Sequence, residues 1–385
     1  MSASSTVAGR SYYPHVEGLR GVAALYVVLY HVWQAGIAHA ATATMPGLLA
    51  LTPFLQYGHF AVAAFIVISG YCLALPVAQR PEKAFGAKRF FMRRARRLMP
   101  AYVPVVLLSI IPFAAATVIA GGHVNAPHLA LAAVLHLGLI HNLFYATNEY
   151  LNGPLWSIAL ECQIYVVFAL LLVPVWRRFG VVAQLAVALV LGFLPHFVLH
   201  AFDWTVPWLL ALFAMGVVAA QLTARPVPRL PWNWIALGAA LVAVATLVPF
   251  RDAKATDWGT SPADLAVGAA VAAFFVAAAR DGRLIPARLL ATRPIVFLGT
   301  FSYSLYLIHA PLVDVTGALL VRAHAGPMLS ALVWSALVVG VVAAAYAFYR
   351  VFERPFLSAG FRQAFEADRG SGRRATPALS PEPAA

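Results

Sequence analysis

Three sets of ionisable or hydroxyl-bearing residues stand at helical spacing inside otherwise apolar stretches. Glu17-Gly-Leu-Arg20 opens the first stretch, and His31 follows Arg20 by eleven positions. Eleven residues are close to three α-helical turns, so Arg20 and His31 share a face and lie about 16 Å apart along the axis. An arginine that holds an anion at a membrane mouth and an imidazole that handles a proton at depth suit a reaction conducted across a bilayer. The same two residues also fit a snorkelling arginine and a histidine bonded within a helix interface.

The second set is Trp156-Ser157-Ile-Ala-Leu-Glu161-Cys-Gln-Ile-Tyr165, in which Ser157, Glu161 and Tyr165 recur at i, i+4 and i+8 on one face. A carboxylate inside an apolar stretch must pair with a cation or take up a proton. The first alternative is structural, and the second points to a site for an acceptor on the outer side. In the third set, Ser302, Tyr306 and His309 fall at i, i+4 and i+7, a face that equally suits polar residues joining helices. His59, His196 and His200 stand near segment ends, where an interfacial place is expected. A cationic run, Arg89-Phe-Phe-Met-Arg93-Arg94-Ala-Arg96-Arg97-Leu-Met-Pro100, lies between two apolar stretches. It serves as a cytoplasmic anchor and has the charge to hold a phosphate-rich ligand such as coenzyme A; charge counting does not separate the two roles.

The elements that carry these residues follow from composition. The 385 residues are 62% hydrophobic and 11% charged, far below the roughly 25% charged residues of soluble domains. Such a chain can cover its surface only in hydrocarbon, where each span needs about 20 apolar residues. The expected fold is therefore an all-α polytopic membrane protein. Apolar runs lie near 18–38, 56–78, 98–120, 155–176, 181–200, 206–223, 232–250, 262–279, 295–320 and 328–352, with a weaker one at 129–147 that holds His136, His141 and Asn142. Ten crossings place 24 of the 27 lysines and arginines on the cytoplasmic side, whereas an eleventh at 129–147 divides them 13 against 14. The positive-inside rule selects ten, with both termini cytoplasmic and 129–147 re-entrant or interfacial.

The net charge of +13 then belongs to cytoplasmic loops. Nucleic acid is excluded as a partner, since no motif supports it. Cys72 and Cys162 lie inside apolar segments and give neither a disulfide framework nor a metal spacing, so no metal is expected. The polar start lacks the order of a signal peptide, so the first span is expected to stay in the membrane. Residues 1–15 form a cytoplasmic N-terminal segment, 16–356 the membrane domain, and 357–385, rich in Arg, Pro, Ala and Ser, a disordered cytoplasmic tail.

Six elements in order resemble the integral-membrane acyltransferase family 3, whose members O-acylate bacterial surface glycans and some secondary metabolites. They are Gly18-Leu-Arg20-Gly21 through His31, Ile68-Ser69-Gly70-Tyr71, Arg94-Ala-Arg96-Arg97-Leu-Met-Pro100, Leu155-Trp156-Ser157 through Glu161 and Tyr165, Phe301 through Pro311, and Glu353-Arg354-Pro355. The likeness runs from about Gly18 to Pro355. Ala63-Ala64-Phe65 and Ile164 stand where relatives carry bulkier aromatics, a matter of packing or pocket shape.

The resemblance implies a ten-span acyltransferase domain in the bacterial inner (cytoplasmic) membrane, with acyl-CoA, acetyl-CoA foremost, as cytoplasmic donor. The acceptor is a hydroxyl of a glycan or glycosylated small molecule. It implies His31 with Arg20 as essential residues; the mechanism expected on that footing adds Glu161 to the catalytic set and has Arg94, Arg97 and Arg20 grip the phosphates of coenzyme A. Trp156, Ser157, Tyr165, Ser302, Tyr306 and His309 then belong to the acceptor side. Many relatives carry a fused extracytoplasmic esterase-like domain that is not seen in this sequence, which leaves room for a separate extracytoplasmic transferase as partner. The competing expectation is a proton-coupled exporter of a sugar or metabolite that uses Glu161, His31 and His309 as a relay.

Overall fold

A computed structural model of the chain describes residues 13–37, 53–225, 230–248 and 258–357. Most of the expected N-terminal segment and tail lie outside the described residues. Within them the regular structure is helical throughout. Seven helices are long and apolar enough to cross a membrane, accompanied by two shorter apolar helices, Ala126–Leu137 and Trp232–Leu247. The chain is an all-helical, multi-pass membrane protein.

The helices run in the order α1 (Pro14–Val32), α2 (His59–Ala78), α3 (Ala87–Ile119), α4 (Ala126–Leu137), α5 (Leu155–Val167), α6 (Val173–Leu194), α7 (Leu209–Ala224), α8 (Trp232–Leu247) and α9 (Ser261–Arg280). Two short helices follow, α10 (Ile285–Leu290) and α11 (Arg293–Thr300), then α12 (Ser302–Arg322) and α13 (Pro327–Phe348). Pro14 occupies the first turn of α1, where a missing N–H costs nothing.

Three departures from the apolar runs have local causes. The stretch Leu155–Leu199 is 45 residues of continuous helix, about 68 Å and more than twice the hydrocarbon thickness. It divides at Gly180, whose φ of 89° suits a residue without Cβ, in agreement with separate runs at 155–176 and 181–200. The run at 295–320 is two helices, α11 and α12, separated at Phe301 by non-helical φ −120°, ψ 18°. The weak run at 129–147 yields only the 12 residues of α4 followed by 3₁₀ turns at His141–Leu143 and Tyr145–Thr147. Twelve residues reach about 18 Å, short of a crossing.

The most enclosed spans carry α2 and α7, with 67% and 78% of their apolar windows buried, against 22% for those of α3 and α13. In lipid, helix association rests on close packing rather than on water exclusion, so small residues mark the tightest crossings. A Cβ on Gly70 would collide with the Phe213 carbonyl, and one on Gly216 with the Val67 carbonyl, which fixes the α2–α7 crossing. In the same way a Cβ on Gly299 would collide with the Glu17 carbonyl. That contact seats the Glu17–Arg20 turn of α1 against α11, just before α12 begins.

Candidate active site

A cavity of about 530 Å³ opens between α1, α2, α3, α5 and α12. On α2 its lining extends from Val62 to Val77, about 22 Å along the helix axis. Eight cations line it, Arg20, Arg80, Lys83, Arg89, Arg93, Arg94, Arg97 and Arg177, against two carboxylates, Glu17 and Glu161. Arg20 Nη1 lies 3.3 Å from Glu17 Oε2 one turn below it.

Glu161 and Tyr165 are on the cavity wall. Tyr165 donates to Glu161 Oε1 at 2.6 Å, and its hydroxyl is 3.1 Å from Ser69 Oγ, so the Ser69-Gly70-Tyr71 element supports the carboxylate. Glu161 thus shares one cavity with Arg20, Arg94 and Arg97. The reason lies just before α5. Asn152 is fully buried, and its Nδ2 donates to the Leu307 carbonyl inside α12 at 3.1 Å and to Ser109 Oγ at 3.0 Å. Helix α5 therefore starts among other helices, which carries Glu161 deeper than a helix begun at the surface would.

The segment before it is held in the same way. Asn142 and Gln163 exchange amide hydrogen bonds of 3.2 and 2.8 Å, and Gln163 also donates to the Leu139 carbonyl at 3.1 Å. His141 and Asn142 are fully buried.

Ser157 and Tyr306 line the deep part of the cavity with Phe65. Their hydroxyls are 2.7 Å apart, and both reach the Pro154 carbonyl, Tyr306 at 3.0 Å and Ser157 at 3.1 Å. The Phe65 ring meets the Tyr306 ring edge-on at 5.9 Å. Ser302 also lines the cavity, and its buried hydroxyl has no hydrogen-bond partner among the described residues.

Next to Tyr306, whose ring centroid is 5.7 Å from that of His309, His31 and His309 meet. His309 Nε2 is 3.2 Å from His31 Nδ1, and the ring centroids are 4.9 Å apart. His309 is completely buried, while His31 is half-buried. The pairing exists because α1 and α12 run side by side, which brings the faces of Arg20–His31 and Ser302–Tyr306–His309 together.

Two residues gain a place that spacing alone did not give them. Glu353, part of the closing Glu-Arg-Pro element, is buried, accepts from Ser304 Oγ at 2.6 Å and interacts electrostatically with Arg97 and Arg20. Its signal in the sequence is the Glu-Arg-Pro element that closes the last apolar run; nothing in the spacing points to Arg97 or Ser304 as its neighbours. His59, expected at an interface, is buried, with Nε2 3.2 Å from Asp264 Oδ1. Trp156 packs near its ring, with centroids 6.5 Å apart, and so lies to one side of the other acceptor-side candidates. His196 does stand at a half-exposed position, paired with Asp203 at 2.9 Å.

The chain matches a family model described as an acyltransferase domain over residues 13–350. Among curated proteins it is similar to the peptidoglycan O-acetyltransferase of Listeria monocytogenes, 29% identical over 172 residues, which cover 41% of this chain and 24% of that protein. A Staphylococcus aureus protein with a provisional O-acetyltransferase name is 27% identical over 176 residues, covering 42% of this chain and 25% of the relative. An uncharacterized Haemophilus influenzae protein is 30% identical over 139 residues, 34% of this chain and 56% of its own length. The matches thus span between a quarter and just over half of these relatives. No solved structure matches the chain. With five of the six sequence elements lining one cavity, the sixth joined to them through Glu353 and Ser304, and the family model covering nearly the whole membrane part, the chain belongs to acyltransferase family 3.

Proposed function

We propose that the chain is a membrane O-acyltransferase that moves an acyl group, acetyl foremost, from cytoplasmic acyl-CoA to a hydroxyl of a carbohydrate or glycosylated small molecule. The observation that carries this reading is the cavity with eight cations and two carboxylates that reaches Ser157 and Tyr306, with His31 and His309 next to Tyr306. Guanidinium groups are suited to bidentate contact with phosphate, so Arg94, Arg97 and Arg20 hold the phosphates of coenzyme A.

The pantetheine arm follows the cavity inward. His31 then acts in one of two ways. As general base it takes the proton of the acceptor hydroxyl while the hydroxyl oxygen attacks the thioester carbonyl; the C–S bond breaks and the proton passes to the departing thiolate. As nucleophile its ring nitrogen bonds the acyl carbon as the C–S bond breaks and the thiolate leaves; the hydroxyl oxygen then takes the acyl group as the N–C bond breaks, and the hydroxyl proton ends on the thiolate. Glu161, hydrogen-bonded by Tyr165, is the carboxylate nearest this path, and Ser157, Ser302 and Tyr306 orient the reacting groups.

The topology that goes with this reading has ten crossings, both termini cytoplasmic and 129–147 re-entrant, in the bacterial inner membrane. Residues 16–356 form the membrane domain between a cytoplasmic N-terminal segment and a cytoplasmic tail. The break at Gly180, the short α4 and the buried hydrogen bonds of Asn142 and Asn152 support that count. A separate extracytoplasmic transferase is the partner suited to pass the acyl group onward.

Purified full-length protein in lipid nanodiscs, given radiolabelled acetyl-CoA and a panel of sugars and glycosylated small molecules, tests the reading. Acceptor-dependent release of free coenzyme A with label on the acceptor is expected. Proton flux coupled to sugar movement, with no coenzyme A released, overturns it in favour of an exporter.

A further inference from the structure

We infer that His309 is a positioning residue, which shares the Nδ1–H of His31 with the Val27 carbonyl, orients that ring from α12, and leaves the Nε2 lone pair of His31 for the reacting proton. The use of that lone pair rests on the acyl-transfer reading above; the tautomer itself rests on geometry alone.

Two backbone carbonyls decide the protons. His31 Nδ1 lies 2.9 Å from the Val27 carbonyl oxygen, four residues back on α1. A carbonyl oxygen only accepts, so the hydrogen must sit on Nδ1 of His31. His309 Nδ1 lies 2.7 Å from the Tyr306 carbonyl oxygen, and the same reasoning puts a hydrogen on Nδ1 of His309. The Nε2 of His309 then faces an N–H at 3.2 Å and can only present its lone pair. The Nδ1–H of His31 is shared between Val27 and His309, a three-centre bond.

A neutral imidazole has one N–H and one lone pair, so the basic nitrogen of His31 is Nε2. Neither carbonyl can change role, which makes the assignment directional: Tyr306 carbonyl, His309, His31, acceptor. The logic is that of a catalytic imidazole oriented by a third group, with a second imidazole in the place of a carboxylate. Val27 alone fixes one bond of the His31 ring. His309 adds a second from another helix, and it ties the ring to α12, where Tyr306 meets the cavity.

The direct test is side-chain ¹⁵N solid-state NMR of histidine-labelled full-length protein in bilayers, with His31 assigned from the resonances lost in His31→Gln. The expected spectrum shows His31 protonated at Nδ1 and bare at Nε2. A wild-type His31 protonated at Nε2 overturns the inference without recourse to any variant. His309→Gln keeps an acceptor near the old Nε2, and His309→Leu removes it. The glutamine variant is expected to keep the Nδ1–H pattern and an acyl-transfer rate within about tenfold of wild type. The leucine variant is expected to keep the Nδ1–H on Val27 alone, with a shifted His31 Nδ1 resonance, and to show a rate lower by roughly 10²–10⁴, with the KM for acetyl-CoA held. A leucine variant that leaves both the His31 Nδ1 resonance and the rate unchanged overturns the inference. Absence of acyl transfer in the wild type sinks the enzymatic reading only, because the tautomer is read from the spectrum with no substrate present.

Discussion

Asn152 stands in for a hydrogen bond that Pro311 cannot make. In α12 the residue at 311 would donate its N–H to the Leu307 carbonyl, but proline has none. Asn152 Nδ2 reaches that carbonyl at 3.1 Å from the segment before α5. The kink-prone turn of α12 and the start of α5 are thereby one construction, and it sets the depth of Ser157 and Glu161.

Asn152→Ala is expected to lower stability by about 1–3 kcal/mol, because a buried carbonyl and the Ser109 hydroxyl lose their donor. In a Pro311→Ala background, which restores the helical N–H, the same change costs less, and the coupling is about 0.5–3 kcal/mol. Unfolding in mixed micelles measures all four variants. Purely additive effects refute the complementarity.

His31→Ala is expected to lose acyl transfer by at least ~10³-fold while still binding acyl-CoA. The ring stands about three turns along α1 from Arg20 and is not among the groups that line the cavity. Calorimetric titration with a non-hydrolysable acyl-CoA analogue, beside the turnover assay, separates the two effects. A variant that transfers at the normal rate rules His31 out of the chemistry.

Arg97→Ala and Arg94→Ala are each expected to raise the KM for acetyl-CoA with a smaller change in kcat. One charge-assisted hydrogen bond is worth about 1.5–3 kcal/mol, roughly a 10–150-fold loss of affinity. Donors that lack one phosphate of coenzyme A should respond less to whichever arginine held it. Equal KM values for wild type and both variants would mean that these cations only anchor the chain in the membrane.

Glu353→Ala is expected to cost about 3–5 kcal/mol, because it leaves Arg97 beside a void and strips Ser304 of its acceptor. Glu353→Gln keeps an acceptor for Ser304 and should cost less. Thermal unfolding in detergent ranks the two. An alanine variant as stable as wild type would show that the carboxylate is not the counter-charge of the arginines.

Gly70→Leu and Gly216→Leu should abolish folded protein, since each added side chain runs into backbone of the facing helix. Gly238→Ala, where nothing lies within 4 Å, is the matched control and should be neutral or slightly stabilising. Monodispersity in size-exclusion chromatography distinguishes them, and a folded Gly70→Leu protein would refute the α2–α7 crossing.

Helical periodicity was enough to read Arg20 with His31, and Ser302 with Tyr306 and His309, as faces, because both pairings lie within one helix. Charge distribution argues against a crossing at 129–147, and the helix found there, α4, is only 12 residues long. What escaped depends on distant parts of the chain. The contact of His31 with His309 joins residues 278 positions apart. The place of Glu161 follows from Asn152 being hooked into α12, a tertiary bond that no spacing within α5 reports. Glu353 becomes a neighbour of Arg97 only when the last helix folds back onto α3. The break at Phe301 was hidden because an apolar run does not reveal a non-helical residue inside it.

The depth of the cavity has an electrical consequence. Where an aqueous invagination follows α2 for about 22 Å, the potential of the near compartment is carried inward, and the membrane voltage drops across the short insulating remainder. In the proposed topology the His31–His309 pair, next to Tyr306, lies on that remainder. An elementary charge crossing the full voltage changes in energy by about 2.3 kcal/mol per 100 mV, so a proton that moves through this thin layer feels a large part of it. Turnover in sealed, energised vesicles should therefore respond to voltage, and turnover in detergent should not.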